Sequence, residues 1–298
     1  MNHELISVIL PTYKRCQILA KAVNSVINQT YKNWELVIID NNSNDGTEEL
    51  IKNYYNNKIS FLKINNFGSI AKSRNYGIKK SRGKYLAFLD SDDYWTKNKL
   101  EICLNFINNK VDLIYHDLEI IGQKKSFFKN NILNSRKLNK PIFDDLLFNG
   151  NAINLSSVIV RKNLLEQIDG MKETLEMATC EDYNTWLRVA KLTEKFLYLP
   201  KTLGYYLIHN QNISNHDMSI PLSFAIKEFL PLLNEKEKKI LSANLQFISG
   251  KFSYSLGNYL EAKKKLINCL SFCNFKTKLK ILFIIIKIYL TFFLNLKK

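Results

Sequence analysis

The sequence predicts an α/β fold, a mostly parallel central sheet flanked by helices with an α-helical C-terminal extension, and three observations carry that prediction. Short apolar runs alternate with stretches of helical periodicity, the pattern of strands joined by crossover helices. The second run is apolar at successive positions, as a parallel strand covered on both faces requires. Polar and acidic clusters follow three of the runs, at the carboxyl ends where such sheets collect ligands.

In chain order, Ser7–Leu10 (SVIL) reads as a strand ending at Pro11, and Gln17–Asn28 as a helix with Ile18, Leu19, Ala22, Val23, Val26 and Ile27 at three-to-four spacing. Glu35–Ile39 (ELVII) is a second strand, followed by the turn-forming DNNSNDGT of Asp40–Thr47. Glu48–Tyr55 reads as a helix, Ile59–Ile64 as a strand, Ala71–Lys80 as a helix and Tyr85–Leu89 (YLAFL) as a fourth strand. Further on, Leu155–Val160 is strand-like and Asn184–Lys191 helical. Beyond Met218 the pattern is helical throughout, so a domain of residues 1–217 and a helical region of residues 218–298 are expected, with a linker near Asn215–Pro221. Leu256–Leu270 reads as one helix, and Leu279–Leu296 as a final apolar helix interrupted by Lys280, Lys287, Thr291 and Asn295.

The charge is uneven. The chain carries +16 overall, and residues 218–298 contribute fourteen Lys against four Glu, or +10 of it. A basic tail with an apolar helix prefers an anionic membrane surface, and the helix is expected to lie in the interface; a true span and a merely buried helix are the alternatives. Aromatics are not interleaved with the basic residues on a strand platform, so nucleic acid is not an expected partner. The five cysteines are scattered without a CxxC pair, which argues against a disulfide framework or a zinc site and for a reducing compartment. Met1–Glu4 is polar and a strand begins at once, so no signal peptide is expected.

Asp90-Ser91-Asp92 directly follows the fourth strand. Two carboxylates two residues apart can share a divalent cation that also binds two phosphate oxygens. By itself such a triplet is more often a solvated turn or helix cap. Its place beside the polar ends Pro11-Thr12-Tyr13 and Asp40-Asn41 is what points to a site.

The segments SVILPTYKR, ELVIIDNNSNDGT, SRNYGIKKSRGKYLAFLDSDDYW and CEDYNTWLRVAK resemble, in order, the blocks of glycosyltransferase family 2, over roughly residues 5–215. The resemblance implies the GT-A nucleotide-diphospho-sugar transferase fold and an inverting transfer assisted by Mn²⁺ or Mg²⁺. It implies that Pro11, Thr12 and Tyr13 meet the nucleoside, and that Asp40 and Asn41 occupy a base-reading pair that is two aspartates in many members. The Asn departs from that pattern and leaves the base open. Arg74 falls near the diphosphate, Asp90 and Ser91 on the donor, and Asp92 on the metal, with His209 approaching the diphosphate or metal; an ordinary surface or core histidine is the rival reading of His209. Asp182 becomes the catalytic base, because a sugar hydroxyl attacks poorly until a carboxylate takes its proton; the helix-terminal carboxylate is the plain alternative. Glu181 and Trp186 are expected at the acceptor, with a core aromatic as the rival reading of Trp186. Gln123–Leu155 is expected to hold further acceptor contacts and shows no motif.

The QxxRW motif of processive members is absent, which favours one sugar per encounter. The implied partners are a nucleoside-diphosphate sugar and a saccharide or polyprenyl-diphosphate-linked acceptor, with a cytoplasmic enzyme peripheral on the inner face of the cell membrane. Bacterial surface polysaccharide synthesis is the expected setting. Two other readings share these features: a nucleotidyltransferase acting on sugar phosphates, against which PTYKRC offers no glycine-rich phosphate loop, and a non-catalytic nucleotide-sugar-binding protein.

Overall fold

The computed structural model describes residues 4–54, 57–122, 131–133, 135–209 and 216–295. Contacts divide the chain into two compact units, residues 1–212 and 213–298.

In the first unit, β1 (Ile6–Thr12), β2 (Trp34–Asp40), β3 (Ile59–Lys63) and β4 (Tyr85–Phe88) pair in parallel in the order β3-β2-β1-β4. Every residue of β1, β2 and β4 is buried, which is why their sequences carry few surface-type side chains. The crossovers are α1 (Cys16–Ile27), α2 (Thr47–Lys52) and α3 (Ile70–Lys80). Helix α1 buries Leu19, Ala22, Val23 and Val26 as one stripe. Each larger side chain of that stripe contributes about 1.5–3 kcal/mol on burial. Helix α3 lies so close to the sheet that a Cβ on Gly77 would come within 2.7 Å of both Ile39 and Ile9.

Beyond β4 the sheet continues with β5 (Tyr94–Trp95), β6 (Leu113–Ile121), β7 (Ile159–Arg161) and β8 (Phe196–Leu207). The full order is β3-β2-β1-β4-β7-β6-β8-β5, with β7 antiparallel to both β4 and β6, β8 parallel to β6, and β5 antiparallel to β8. The parallel expectation therefore describes the first half of the sheet, and the second half is mixed. The remaining helices of this unit are α4 (Lys99–Leu104), α5 (Ile142–Asn149), α6 (Lys162–Gln167) and α7 (Glu181–Ala190). The strand expected over Leu155–Val160 is shorter: Leu155–Ser157 forms a 3₁₀ turn and β7 begins at Ile159.

After β1 the chain adds β2 and β3 on one side and then returns to add β4 on the other. The crevice at the carboxyl ends of β1 and β4 is thus the topological switch point, the place where open α/β sheets bind ligands.

The second unit holds α8 (Ser219–Ile226), α9 (Glu235–Ser255), α10 (Tyr259–Cys269) and α11 (Phe275–Asn295). Helix α9 starts at a capping box: the Asn234 side chain accepts from the Glu237 amide and Glu237 accepts from the Asn234 amide. The single helix expected from Leu256 starts three residues later. Gly257 adopts φ +80°, and the left-handed turn separates α9 from α10. Ala243, Leu266, Cys269, Cys273 and Ile281 form the small core of this unit. No described helix is long and apolar enough to cross a membrane.

Candidate active site

The loop after β4 carries Asp90, Ser91, Asp92 and Asp93, and its shape is set from outside the loop. Ser156, in the 3₁₀ turn before β7, accepts from the Asp90 amide through its hydroxyl (3.1 Å) and from Trp95 Nε1 through its carbonyl (2.7 Å). Asp93 is buried and accepts from the Leu207 amide. Burial, together with the charges of Asp90 and Asp92, pushes the Asp93 carboxyl well above the usual carboxylate range.

Arg74, on α3, ties two carboxylates together. It is 3% exposed, and it donates to Asp90 Oδ1 at 2.7 Å and to Glu181 Oε1 through the other end of the fork. Burial alone would lower its pKa; the charges of Asp90 and Glu181 hold it above its ordinary value. Glu181 is itself buried, so its carboxylate belongs to this internal ion pair and not to an acceptor-facing surface. Arg74 likewise works first as a structural tie between the loop after β4 and the start of α7.

Asp182 follows in the first turn of α7. One oxygen accepts from the Tyr183 amide at 2.7 Å, and Asn151 Nδ2 approaches the other at 3.4 Å. Burial and the neighbouring Glu181 charge, opposed by Arg74, push its carboxyl up to about 7. A carboxylate balanced at that value takes a proton readily at neutral pH. The backbone entering α7 is strained at Thr179, a β-branched residue at φ +76°.

Asp92 meets His209, just past β8. Asp92 Oδ2 lies 2.9 Å from His209 Nε2 and 2.5 Å from Arg15 Nη1, which is also 3.0 Å from His209 Nε2. The carboxylate oxygen and the imidazole nitrogen are in direct contact, and these two donor groups together could hold Mg²⁺ or Mn²⁺. The guanidinium supplies the positive charge there. Among the described residues no three His, Cys, Asp or Glu side chains form a metal-holding group, so the other positions would fall to phosphate oxygens and water.

The residues expected on the nucleoside side sit at the carboxyl ends of β1 and β2 and in the loops that follow. Pro11 and Thr12 close β1 and are buried, while Tyr13 is half exposed. Lys14 and Asn42 adopt positive φ in these loops. Asp40 accepts from both the hydroxyl and the amide of Ser43, and Asn41 Oδ1 accepts from the Asn66 amide at 2.9 Å. These contacts hold the loop after β2 in shape and tie it to the segment after β3.

Trp186 is corrected by the structure. It is fully buried on α7, with its ring edge-to-face with Phe88 of β4 at 6.4 Å, so no sugar can stack on it. Of the segment expected to contact acceptor, residues 123–130 and 134 lie outside the described residues, as do residues 210–215 after His209. Sequence reasoning missed Arg15, Asn151 and Ser156. Arg15 stood inside a quoted block; the other two lie where no motif is readable.

Residues 7–169, more than half of the chain, match the family model described as Glycosyl transferase family 2. The Escherichia coli protein UDP-Glc:alpha-D-GlcNAc-diphosphoundecaprenol beta-1,3-glucosyltransferase WfgD is 30% identical over 192 residues, covering 64% of this chain and 72% of its own. Among solved structures, S. aureus TarS 1–349 in complex with UDP-GlcNAc superposes with a TM-score of 0.64 at 21% identity, over 91% of this chain and 82% of that one. The mannosyltransferase PcManGT from Pyrobaculum calidifontis, in complex with GDP-Man and Mn²⁺, gives a TM-score of 0.59 at 14% identity, over 91% and 76%. The α/β architecture is thus that of the GT-A glycosyltransferases, and with the family model matching across the parallel half of the sheet, this chain belongs to glycosyl transferase family 2.

Proposed function

We propose that this chain transfers one sugar, with inversion, from a nucleoside-diphosphate sugar to a hydroxyl of a saccharide or polyprenyl-diphosphate-linked acceptor in bacterial surface polysaccharide synthesis. Family membership supports glycosyltransferase activity. The observation that carries the finer reading is the Asp90–Arg74–Glu181 chain, which sets the loop after β4 beside Asp182, a carboxylate with its pKa near 7.

Asp182 accepts the proton of the acceptor hydroxyl, and the oxygen attacks the anomeric carbon. The bond from that carbon to the diphosphate breaks, and the nucleoside diphosphate departs from the opposite face. Asp92 and His209 would hold Mn²⁺ or Mg²⁺, which when bound neutralises the departing diphosphate. Asp90 and Ser91 line the donor side, and Pro11, Thr12, Tyr13, Asp40 and Asn41 the nucleoside side. The similarity to the UDP-Glc-dependent WfgD and to TarS in complex with UDP-GlcNAc supports a uridine diphosphate sugar as the first donor to test, and that to WfgD a lipid-linked acceptor.

Helix α11 supports a place on the membrane surface. Phe275, Leu279, Leu282, Phe283, Ile286 and Leu290 are exposed and recur at helical spacing on one face, whereas Ile281 and Ile288 are buried on another. Lys276, Lys278, Lys280 and Lys287 lie on the same helix. An exposed apolar stripe accompanied by lysines suits the interface of an anionic membrane, here the inner face of the cell membrane.

Asp182→Asn and Asp92→Ala should each reduce transfer from a labelled UDP-sugar at least a hundredfold with the fold intact. Near wild-type turnover in Asp182→Asn would remove Asp182 as the base. Deleting residues 279–298 should release the protein from anionic vesicles; unchanged sedimentation would end the membrane reading.

A further inference from the structure

We propose that Arg15 is a built-in counter-cation that competes with the divalent cation for Asp92 and His209. This rests on the metal reading of those two residues given above.

Arg15 Nη1 is 2.5 Å from Asp92 Oδ2 and 3.0 Å from His209 Nε2, so one guanidinium nitrogen meets both atoms that a cation would use. The ion pair is well shielded, with the Arg15 and Asp92 side chains 14% and 15% exposed. Two like charges do not share such a place. A doubly charged ion that binds Asp92 must therefore first displace the guanidinium from it. The contact also has a positive use. It holds Asp92 and His209 together and offsets part of the negative charge gathered at Asp90 and Asp92. Arg15 sits at the start of α1, in the loop following β1, so the displaced guanidinium remains on the rim of the switch-point crevice. There its planar fork suits an anionic phosphate. The cation and the guanidinium thus have separate partners only when a diphosphate is present, and the bare protein should bind the cation weakly.

The test is Mn²⁺ binding to the full-length chain without nucleotide, followed by the electron paramagnetic resonance signal of free Mn²⁺. Arg15→Gln removes the competing charge and should bind Mn²⁺ about ten- to a hundredfold more tightly, the range expected for releasing one charge-assisted hydrogen bond. Arg15→Lys keeps the charge and should stay within about threefold of the unaltered chain. Circular dichroism establishes that each variant is folded, and Asp92→Asn separates the two claims. If Asp92→Asn weakens Mn²⁺ binding while Arg15→Gln leaves it unchanged or weakens it, the competition proposal fails and the metal reading stands. If Asp92→Asn has no effect on Mn²⁺ binding, both fail.

Discussion

Arg74→Met is the most informative single change, because the buried guanidinium is replaced by a side chain of similar reach without charge. Glu181 then keeps a buried carboxylate with no cation, and its Oε2 already has no hydrogen-bond partner among the described residues. Asp90, whose side chain is 31% exposed, is less affected because water can reach it. Removing one partner of a buried pair typically costs about 3–5 kcal/mol. For a domain of this size that corresponds to a fall in melting temperature of roughly 6–20 °C. A second consequence is electrostatic. The positive charge of Arg74 opposes the upward shift of Asp182, so without it the Asp182 carboxyl should rise above about 7. Only the ionised form acts as base, and the rising limb of the pH–kcat profile should therefore move to higher pH. Adding Glu181→Gln neutralises the stranded carboxylate and should recover part of the lost stability, which a double-mutant cycle measures by calorimetry. A melting temperature for Arg74→Met within about 1 °C of the unaltered chain, with the pH profile unmoved, would refute the assignment of Arg74 as the tie between the two halves of the site.

Three further outcomes follow from the structure. With Asp182 at about 7, the unaltered enzyme should lose transfer activity as pH falls from 8 to 6, approaching tenfold per pH unit below the inflection; a flat profile over that range would contradict the assigned base. Lys99 is fully buried against the Trp95 ring at 3.8 Å, its ammonium has no hydrogen-bond partner among the described residues, and burial lowers its pKa to about 8. At pH 7 it is charged both folded and unfolded, at a cost to the fold of about 3 kcal/mol that disappears as pH rises toward 10. Lys99→Met should accordingly stabilise at pH 7 and not at pH 10 in denaturant titrations, and a destabilised variant at pH 7 would overturn this. Trp186→Ala should cost about 3–5 kcal/mol by emptying the core against Phe88, whereas a variant as stable as the parent with only a raised acceptor KM would restore the sugar-stacking role.

The parallel half of the fold was legible because its signals are local. The apolar runs of β1, β2 and β4 and the stripe on α1 lie within windows of a few residues, and backbone sterics convert each window into an element without help from distant chain. The mixed half was less legible. Strand β7 has three residues, and the 3₁₀ turn before it is held by contacts distant in sequence, Ser156 accepting from Asp90 and Trp95. Trp186 failed for a related reason. Its helix is buried over most of its circumference, so the polar residues around it did not mark a solvent-facing side.

Arg15 and Arg74 suggest that composition held a signal that motif matching did not use. The 43 basic residues include only six arginines, at 15, 74, 82, 136, 161 and 188; among the described residues those at 15, 74, 82, 136 and 161 form ion pairs with Asp or Glu, and Arg188 donates to the Gly170 carbonyl. Lysine supplies the bulk charge of this chain, as a flexible, strongly hydrated ammonium. Arginine appears where a planar fork must meet oxygen atoms in fixed positions. Two of those pairings, Arg15 with Asp92 and Arg74 with Glu181, span the longest separations in sequence, and both lie at the switch point. In this lysine-dominated sequence these two arginines mark places where geometry, and not charge alone, is needed. The candidate site is built from two such places: one holds the loop after β4 against the start of α7, and the other stands where the proposed cation would enter.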